Sequence, residues 1–241
     1  MYGVVPAAGA GTRLRPRTAQ RPKGLVEVAG QPLLTHCFET LCALGVDELV
    51  VVVGYESEQI VSYYGDRFGD VSVTYASQAD RAGLADALLA AEPRMALDTD
   101  ETFVVLNGDN VCRANLAAVV ARHRDAGADA TLLVDEVSRA DAANTGVVAF
   151  DDEGNVAGLV EKPDDPPSTT VPRGFYAFSP RIFGACRAIG PSPTGEYELT
   201  AAVDWLLDDG GRVETVDLDG WCVNVNTDAD RTRAESLLRR E

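Results

Sequence analysis

Residues 3–16 read Gly-Val-Val-Pro-Ala-Ala-Gly-Ala-Gly-Thr-Arg-Leu-Arg-Pro, an apolar run followed by a glycine-rich loop that carries arginine. The apolar run predicts a buried β-strand over residues 3–7. Gly9 and Gly11 allow backbone N–H groups to come close to phosphate oxygens, and the guanidinium of Arg13 can hold a phosphate through two parallel hydrogen bonds. The stretch therefore predicts an α/β fold that opens with an anion-binding loop.

Two better-known glycine-rich signatures do not fit this loop. A dinucleotide-binding GxGxxG set on Gly9 and Gly11 needs a third glycine at position 14, which is leucine. It also needs a helix directly afterwards, whereas Pro16 and Pro22 interrupt the segment. The P-loop pattern GxxxxGK[ST] does not occur in the chain. For the glycines taken alone, ordinary use in a turn remains an alternative.

Strand-like and helix-like patterns alternate along the whole chain. Strands are predicted at 48–53, 71–76, 102–107, 130–136, 145–150, 156–161, 173–179, 212–218 and 221–225. Helices are predicted at 33–44, 56–64, 84–92, 115–126, 180–187, 198–209 and 227–240, and a proline-rich loop at 163–172. Strands connected by helices form right-handed βαβ units. We expect an α/β fold in one domain, residues 1–241, with a Rossmann-like, mixed, mainly parallel sheet flanked by helices.

The net charge of −17 argues against nucleic acid as a partner, because phosphate backbones attract basic surfaces. The charge is unevenly distributed, however. Residues 1–26 contain five basic side chains and no acidic one, whereas the remaining residues carry 16 basic and 38 acidic side chains. A basic segment in an acidic chain indicates a small polyanionic ligand.

The basic residues are 19 arginines and only two lysines, Lys23 and Lys162. A heavy acidic load with little lysine favours a protein adapted to high salt, and a GC-rich genome is the alternative explanation. Five cysteines form no CxxC pair, and no basic leader precedes the first strand. These features predict reduced thiols in a cytoplasmic protein. No apolar run approaches the ~18–20 residues that span a bilayer.

Polar residues follow several of the predicted strands. Asp109 comes directly after an apolar strand, at the edge where open α/β sheets bind ligands, and its carboxylate is a candidate ligand for Mg²⁺. Lys23 can reach a phosphate as a point charge. The side-chain amide of Gln78 can donate to and accept from a pyrimidine edge. Each residue by itself is also compatible with an ordinary surface or turn position.

Together these motifs resemble the family of sugar-1-phosphate nucleotidyltransferases, or NDP-sugar pyrophosphorylases. The resemblance rests on GxGTR at 9–13 with Pro22-Lys23, on Asn107-Gly108-Asp109-Asn110 and on Glu161-Lys162-Pro163. It spans about residues 3–230, and it lies nearest to the uridylyl- and thymidylyltransferases of glucose-1-phosphate. Both lysines of the chain fall inside the two lysine-bearing motifs of this family.

The resemblance implies a role for each motif, with residues 1–140 as a nucleotide half and 141–241 as a sugar-phosphate half. The implied catalytic residues are Arg13, Lys23 and Asp109. The implied nucleotide-binding residues are Ala8, Gly9, Gly11, Thr12, Gln78, Gly83 and Gly108. Gly146, Glu161 and Lys162 are implied to hold the sugar phosphate, and Asp109 and Asn224 to hold Mg²⁺. The implied substrates are UTP or dTTP and a sugar-1-phosphate, with glucose-1-phosphate as the expected sugar. No membrane partner is expected, and a homo-oligomer is left open.

Two positions depart from the family pattern. The second metal ligand of the family, an aspartate, falls on Asn224, whose amide oxygen can ligate Mg²⁺ without supplying charge. An asparagine near the sugar falls on Pro172, and the neighbouring Arg173 either adds a phosphate contact or lies in solvent. His36 and His123 are expected to be structural.

Two other functions remain as alternatives. A GT-A-like glycosyltransferase shares the fold and carries an Asp-x-Asp metal motif, which Asp98-Thr99-Asp100 matches in form but not in position, since it precedes the strand. A non-catalytic regulatory homologue is expected to lose the basic residues of the loop, which this chain retains. The expected reaction is in-line nucleotidyl transfer that needs no general base, because a phosphate monoester is largely ionised at neutral pH.

Overall fold

Strand β1, which precedes the glycine-rich loop, lies inside an eight-stranded sheet. The structure is a computed structural model that describes residues 1–54, 58–80 and 82–240. Its strands are β1 (Tyr2–Pro6), β2 (Glu27–Val28), β3 (Gln31–Pro32), β4 (Glu48–Val53), β5 (Arg67–Phe68), β6 (Val71–Ser77), β7 (Phe103–Leu106), β8 (Asn110–Ala114), β9 (Ala130–Glu136), β10 (Gly146–Phe150), β11 (Val156–Glu161), β12 (Thr170–Phe178), β13 (Val213–Asp217) and β14 (Gly220–Asn224). The order in the large sheet is β13-β9-β12-β7-β1-β4-β6-β5.

The sheet is mixed and mainly parallel, as the sequence predicts. Strand β1 is parallel to β4 and β7, β4 is parallel to β6, and β9 is parallel to β13. Strand β12 runs antiparallel between β7 and β9. Because β1, β4 and β7 are parallel, their carboxyl ends meet at one edge, which is where such sheets bind ligands.

Eight helices flank the strands in the described part of the chain. They are α1 (Leu33–Ala43), α2 (Glu58–Tyr64), α3 (Leu84–Ala91), α4 (Leu116–Ala126), α5 (Arg139–Ala142), α6 (Arg181–Ala188), α7 (Leu199–Asp208) and α8 (Asp228–Leu238). The predicted start of α2 at residue 56 lies outside the described residues. Among the helices that are described, none has the length and apolar character needed to cross a membrane.

Both faces of the central sheet are buried, which explains the continuous apolar runs of its strands. Successive residues of a strand point to opposite faces, so Val4 packs with α3, α6 and α7 on one side while Val5 packs with α1 and α4 on the other. Both side chains are fully buried. The two cores clamp the central strands and fix the positions of the loops that follow them.

Most predicted elements are confirmed, and the exceptions have physical causes. The predicted loop at 163–172 is wrong in its last three residues, because β12 already begins at Thr170. Pro172 is accommodated at an irregularity in the pairing of β12 with β9, where a missing backbone N–H costs little. The short elements β2, β3, β5, β8 and α5 were not predicted, since each is only two to five residues long and carries little periodicity.

The expectation of five reduced cysteines is wrong at one pair. Strands β8 and β14 pair antiparallel and place Cys112 directly opposite Cys222, with the Cα atoms 4.1 Å apart, and the two form a disulfide. The remaining three cysteines are free thiols. The sequence does not reveal this pair, because 110 positions separate the two residues and only the strand register brings them together.

Helix α8 begins with a capping box that anchors the end of β14. The Thr227 hydroxyl accepts from the backbone N–H of Asp230, and the Asp230 carboxylate accepts from the backbone N–H of Thr227. Replacing Thr227 with alanine removes half of this cap, so we expect the free energy of unfolding to fall by about 1 kcal/mol. Urea denaturation should show a lower midpoint with an unchanged slope.

Thr232→Ala serves as the matched control for Thr227→Ala. Thr232 is exposed in the interior of the same helix, where its hydroxyl donates only to the carbonyl of Asp228. Alanine has the higher helix propensity, so no loss of stability is expected. Equal losses in the two variants would contradict the role of the cap.

Candidate active site

Two neighbouring cavities open at the carboxyl edge of the sheet. The first, which we name the loop cavity, has a volume of about 500 Å³. It is lined by residues 6–13 of the glycine-rich loop, Lys23, Gly24, Gln78, Gly83, Leu84, Ala87, Asn107, Gly108, Asp109, Glu196 and Asn226. The second has a volume of about 380 Å³, and we name it the hairpin cavity because residues of the β10–β11 hairpin line it. Its lining includes Gly146, Glu161, Arg173, Glu198, Thr200 and Asn224. Leu84, Asn107 and Asn226 line both cavities.

Glycine is required at two points of the loop cavity. Gly11 has φ +59°, a left-handed conformation that few other residues adopt. At Gly108 a Cβ atom would lie 2.7 Å from the carbonyl oxygen of Pro6, which no side chain could tolerate. The backbone of the loop therefore stays in contact with the turn before Asp109. A Cβ built on Gly9, by contrast, would meet no described atom within 4 Å, so a ligand can approach that backbone.

Lys23 joins the glycine-rich segment to the ends of β7 and β14. Lys23 is 8% exposed. Its ammonium donates to Asp109 Oδ2 and to Asn226 Oδ1, both at 2.7 Å. The Asn226 amide in turn donates to Asn224 Oδ1 at 2.5 Å. Arg13 is exposed at the rim of the same cavity. Two cations thus face the place where a polyphosphate would lie.

The donor atoms around Asp109 fit a hard cation. Asp109 Oδ1 is buried and has no hydrogen-bond partner among the described residues, so a cation would satisfy it. The backbone N–H of Val225 donates to the carbonyl of Asp109 at 2.8 Å. This bond places the end of β14, which carries Asn224, beside Asp109. Within the described residues no group of three His, Cys, Asp or Glu side chains forms a complete metal cage. Asp109 Oδ1 and the side-chain oxygen of Asn224 could hold Mg²⁺, which binds through one or two protein oxygens together with substrate phosphates.

Gln78 is fixed through its side-chain nitrogen, and its side-chain oxygen has no hydrogen-bond partner among the described residues. It is buried, and its Nε2 donates both hydrogens, to the carbonyl of Gly83 at 2.9 Å and to Asp86 Oδ2 at 2.7 Å. The oxygen Oε1 is the group left for a ligand in the loop cavity. Gly83 itself has φ +99°, and a Cβ there would lie 2.5 Å from the carbonyl oxygen of Tyr197. The residue must therefore be glycine.

The hairpin cavity is rimmed with acidic groups. Glu161, at the end of β11, accepts from the hydroxyl of Thr200 at 3.0 Å, and Gly146 lies so close that a Cβ would meet the Thr200 methyl at 2.5 Å. Burial, followed by the charge of Glu161, raises the pKa of Glu198 above its usual value. Carboxylates in this arrangement are suited to accept hydrogen bonds from hydroxyl groups.

Lys162 stands beside the hairpin cavity and is not part of its wall. Its ammonium lies 3.2 Å from Glu161 Oε1, with just over half of the side chain exposed. Partial burial disfavours its charge, but the hydrogen bond to Glu161 and the negative charges of Glu161, Glu198 and Glu196 together outweigh this effect, so the pKa of Lys162 lies above its usual value. The backbone of Lys162 has φ +44°, which is uncommon outside glycine and turns the residue sharply at the strand end.

Arg173 lines the hairpin cavity, so it does not simply lie in solvent. Its guanidinium donates to the carbonyl of Cys222 at 2.8 Å and lies 3.8 Å from Asp135 Oδ2. Three quarters of the side chain is buried. Cys222 and Asn224 are two residues apart on β14 and share one face of the strand. Arg173 therefore places a cation on the Asn224 side of the cavity.

The groups expected to be structural lie outside both cavities. His36 is buried with Nε2 2.9 Å from the carbonyl of Val28, and His123 is buried with Nδ1 3.1 Å from the Thr131 hydroxyl. Asp98 and Asp100 are exposed in the turn that precedes β7. They lie at the opposite end of that strand from Asp109, which disfavours the glycosyltransferase metal motif.

Comparison with known proteins identifies the class that this fold and site define. The chain belongs to the nucleotidyl transferase family, which matches residues 2–223. It is 46% identical over 241 residues to the UTP–glucose-1-phosphate uridylyltransferase AglF of Haloferax volcanii, covering 100% of this chain and 98% of that protein. It is 36% identical to the glucose-1-phosphate thymidylyltransferase of Streptomyces antibioticus, covering 95% of this chain and 64% of that one. A crystallised Bacillus anthracis protein described as a glucose-1-phosphate thymidylyltransferase superposes with a TM-score of 0.87 at 28% identity, covering 100% of this chain and 96% of that one.

The structure brings most of the predicted site residues together. The loop cavity is lined by all of the predicted catalytic and nucleotide-binding residues, namely Ala8, Gly9, Gly11, Thr12, Arg13, Lys23, Gln78, Gly83, Gly108 and Asp109. Gly146, Glu161 and Asn224 line the hairpin cavity. Sequence reasoning missed Asn226, although it stands only two residues after Asn224 and contacts Lys23.

The Lys23–Asp109 contact predicts a measurable effect on stability. Replacing Lys23 with methionine leaves a mostly buried carboxylate without its cation, and we expect the free energy of unfolding to fall by about 3 kcal/mol at pH 7. Adding Asp109→Asn to this variant removes the unpaired charge and should recover part of the loss. Urea denaturation measures all three proteins.

Arg139→Met is the matched control for Lys23→Met. Its guanidinium pairs with Asp165, but the two side chains are 59% and 91% exposed, and exposed ion pairs contribute little. No change in the unfolding midpoint is expected. A Lys23→Met variant as stable as this control would contradict the buried pairing.

Proposed function

We propose that the protein transfers a nucleotidyl group from UTP or dTTP to a sugar-1-phosphate, with release of pyrophosphate. The observation that carries this proposal is the junction of the two cavities. Lys23 and Asp109 stand on the loop side, Asn224 stands on the hairpin side, and Asn226 lies in the wall of both. A triphosphate in the first cavity and a sugar phosphate in the second would meet at this junction.

The fixed amide of Gln78 supports a uracil or thymine base. Both of its N–H donors are engaged, so it offers an acceptor to the ligand. Uracil and thymine each carry an N3–H donor, whereas the N3 atom of cytosine is itself an acceptor. UTP and dTTP therefore fit this contact through N3–H, whereas CTP fits it only if the ring shifts so that its exocyclic N4 amino group meets the oxygen. The contact by itself leaves the choice between UTP and dTTP open.

The arrangement suits in-line displacement at the α-phosphorus. An ionised phosphate oxygen of the sugar-1-phosphate forms a bond to phosphorus, and the bond to pyrophosphate breaks with its electrons on the leaving oxygen. No proton has to be removed, because the second pKa of a phosphate monoester lies near ~6. Arg13 and Lys23 hold the triphosphate and offset its charge, and Lys162 approaches the sugar phosphate from the cavity rim. Catalysis then consists of positioning and charge stabilisation.

We propose Mg²⁺ as the cofactor, held by Asp109 and the side-chain oxygen of Asn224. The unpartnered Asp109 Oδ1 supports this assignment. When bound, the ion neutralises charge on the phosphates that share it. The ammonium of Lys23 donates to the other oxygen of Asp109. A substrate phosphate in the loop cavity would offer this ammonium a second anionic partner.

Glucose-1-phosphate is the proposed acceptor. It is supported by the names of the relatives, which are uridylyl- and thymidylyltransferases of glucose-1-phosphate, and by the carboxylates of Glu161 and Glu198 around the hairpin cavity. We further propose that residues 1–140 hold the nucleotide and that about 141–241 hold the sugar phosphate. The division is not complete, since Glu196 also lines the loop cavity and Leu84, Asn107 and Asn226 line both cavities.

We propose a cytoplasmic, salt-adapted enzyme. The support is the charge of −17 with two lysines among 21 basic residues, because dense like charge repels itself and is screened by salt. Free thiols at Cys37, Cys42 and Cys186 are compatible with this compartment, and the Cys112–Cys222 disulfide is the feature that such a compartment does not explain.

A screen of pyrophosphate release tests the proposed function. The purified protein is combined with Mg²⁺, with each of UTP, dTTP, CTP, ATP and GTP, and with glucose-, galactose- or N-acetylglucosamine-1-phosphate. Release with UTP or dTTP and glucose-1-phosphate, but not with CTP, is expected. Release that needs no sugar phosphate, or none in any combination, would overturn the assignment.

Lys162→Ala should mainly raise the KM for the sugar-1-phosphate. Loss of a charged hydrogen bond costs about 1.5–3 kcal/mol, which corresponds to a rise in KM of roughly 10- to 100-fold. Lys162→Arg keeps the charge and should retain most of the affinity. Initial-rate kinetics with each substrate varied in turn measures both variants. An effect confined to the KM for the nucleotide would contradict this role for Lys162.

Chelation of divalent metal should abolish pyrophosphate release. Arg13 and Lys23 are the cationic side chains of the loop cavity, and we expect their charge to be too small to balance a triphosphate without a divalent ion. The measurement compares rates in excess EDTA with rates after Mg²⁺ is restored, and full recovery on restoration excludes damage to the protein. Undiminished activity in EDTA would eliminate the Asp109/Asn224 site.

A further inference from the structure

Asn226 makes a directed chain of hydrogen bonds between Lys23 and Asn224. It lies two residues after the end of β14, and its backbone N–H donates to Asp230 Oδ2 at 3.1 Å, so the capping box of α8 holds its main chain. Its side-chain oxygen accepts from Lys23 at 2.7 Å, and its side-chain NH₂ donates to Asn224 Oδ1 at 2.5 Å. Its two side-chain polar atoms are thus both engaged within the site.

An asparagine ligand poses a problem of orientation that an aspartate ligand does not. The two oxygens of a carboxylate are equivalent, so either can face a cation. An amide has one oxygen and one NH₂ group, and only the oxygen can ligate Mg²⁺. If the Asn224 side chain turned by half a rotation, it would direct hydrogens at the ion. Asn224 therefore needs a neighbour that fixes which end faces the site.

Lys23 supplies the direction of the chain. An ammonium has three donors and no acceptor, so Asn226 must turn its oxygen toward Lys23 and its NH₂ group the other way. That NH₂ group can only meet an acceptor, and Asn224 must therefore present its oxygen. That oxygen accepts one hydrogen bond from Asn226, and its second lone pair remains available for a cation. The amide orientation of Asn224 thus follows from the charge of Lys23.

We propose that Asn226 is a positioning residue that turns the side-chain oxygen of Asn224 toward the cation site beside Asp109. It thereby compensates for an amide at a position where a carboxylate would need no such support. The inference concerns the metal site of the proposed function, but metal binding can be measured without turnover. Partners that orient metal ligands typically contribute 10- to 100-fold to metal affinity.

A double-mutant cycle on Asn226 and Asn224 tests the proposal, with Mn²⁺ alone as the probe. Water-proton relaxation measures Mn²⁺ binding to the wild type, Asn226→Ala, Asn224→Asp and the double variant. We expect Asn226→Ala to weaken binding about 10-fold. In the Asn224→Asp background the same change should alter the dissociation constant for Mn²⁺ less than about twofold, because either oxygen of a carboxylate can ligate the ion.

Thr227→Ala is the matched control, since it loosens the same segment without changing the side chain of Asn226. Its dissociation constant for Mn²⁺ should equal that of the wild type. An equal effect of Asn226→Ala in both backgrounds, no effect in either, or an equal loss in Thr227→Ala would each overturn the proposal. So would a wild type that binds no Mn²⁺ at millimolar concentration.

The screen of pyrophosphate release separates this inference from the proposed function. Coupling between positions 224 and 226 in Mn²⁺ binding, together with no pyrophosphate release from any substrate pair, would overturn the function and leave the positioning role standing. Release with UTP and glucose-1-phosphate, together with no coupling, would overturn only the role of Asn226. When both hold, the Mg²⁺ concentration for half-maximal release should rise in Asn226→Ala and not in the double variant.

Discussion

The site depends on one buried ammonium. Lys23 is nearly inaccessible, and it bonds at once to the carboxylate that ends β7 and to the amide that follows β14. A buried cation is costly unless it is paired and hydrogen-bonded, so these partners are constraints as much as contacts. They tie the glycine-rich segment, the central strand and the last strand to one point. A substrate phosphate can replace the carboxylate as the partner of this ammonium.

The sheet supplies the rigid frame around that point. Because β1, β4 and β7 are parallel and buried on both faces, their carboxyl ends are fixed side by side. The close contact of Gly108 with Pro6 transmits this rigidity to Asp109. The charged side chains are divided between the two cavities: Arg13 and Lys23 line the loop cavity, and Glu161 and Glu198 line the hairpin cavity.

The local signals of the sequence predicted the strands, the helices and the loop cavity closely. A continuous apolar run such as 48–53 has one stable outcome in an α/β protein, and glycines next to Arg13 have few alternatives to an anion site. The loss of stability expected from Lys23→Met, in contrast, could not be derived from the sequence. It depends on the burial of an ion pair, Lys23 with Asp109, whose members are 86 positions apart. The Cys112–Cys222 pair and the exclusion of Lys162 from the cavity wall were unpredictable for the same reason.

The sequence by itself determined the fold class, the family and the residue types that line the loop cavity, since each of these is written in local periodicity or in short motifs. The tertiary structure decided how distant side chains orient one another. Asn224 is only an amide in the sequence, and its value as a ligand depends on which end it presents. That choice follows from hydrogen-bond direction, passed from Lys23 through Asn226, and hydrogen bonds acquire a direction only when the chain has folded and their partners are in place.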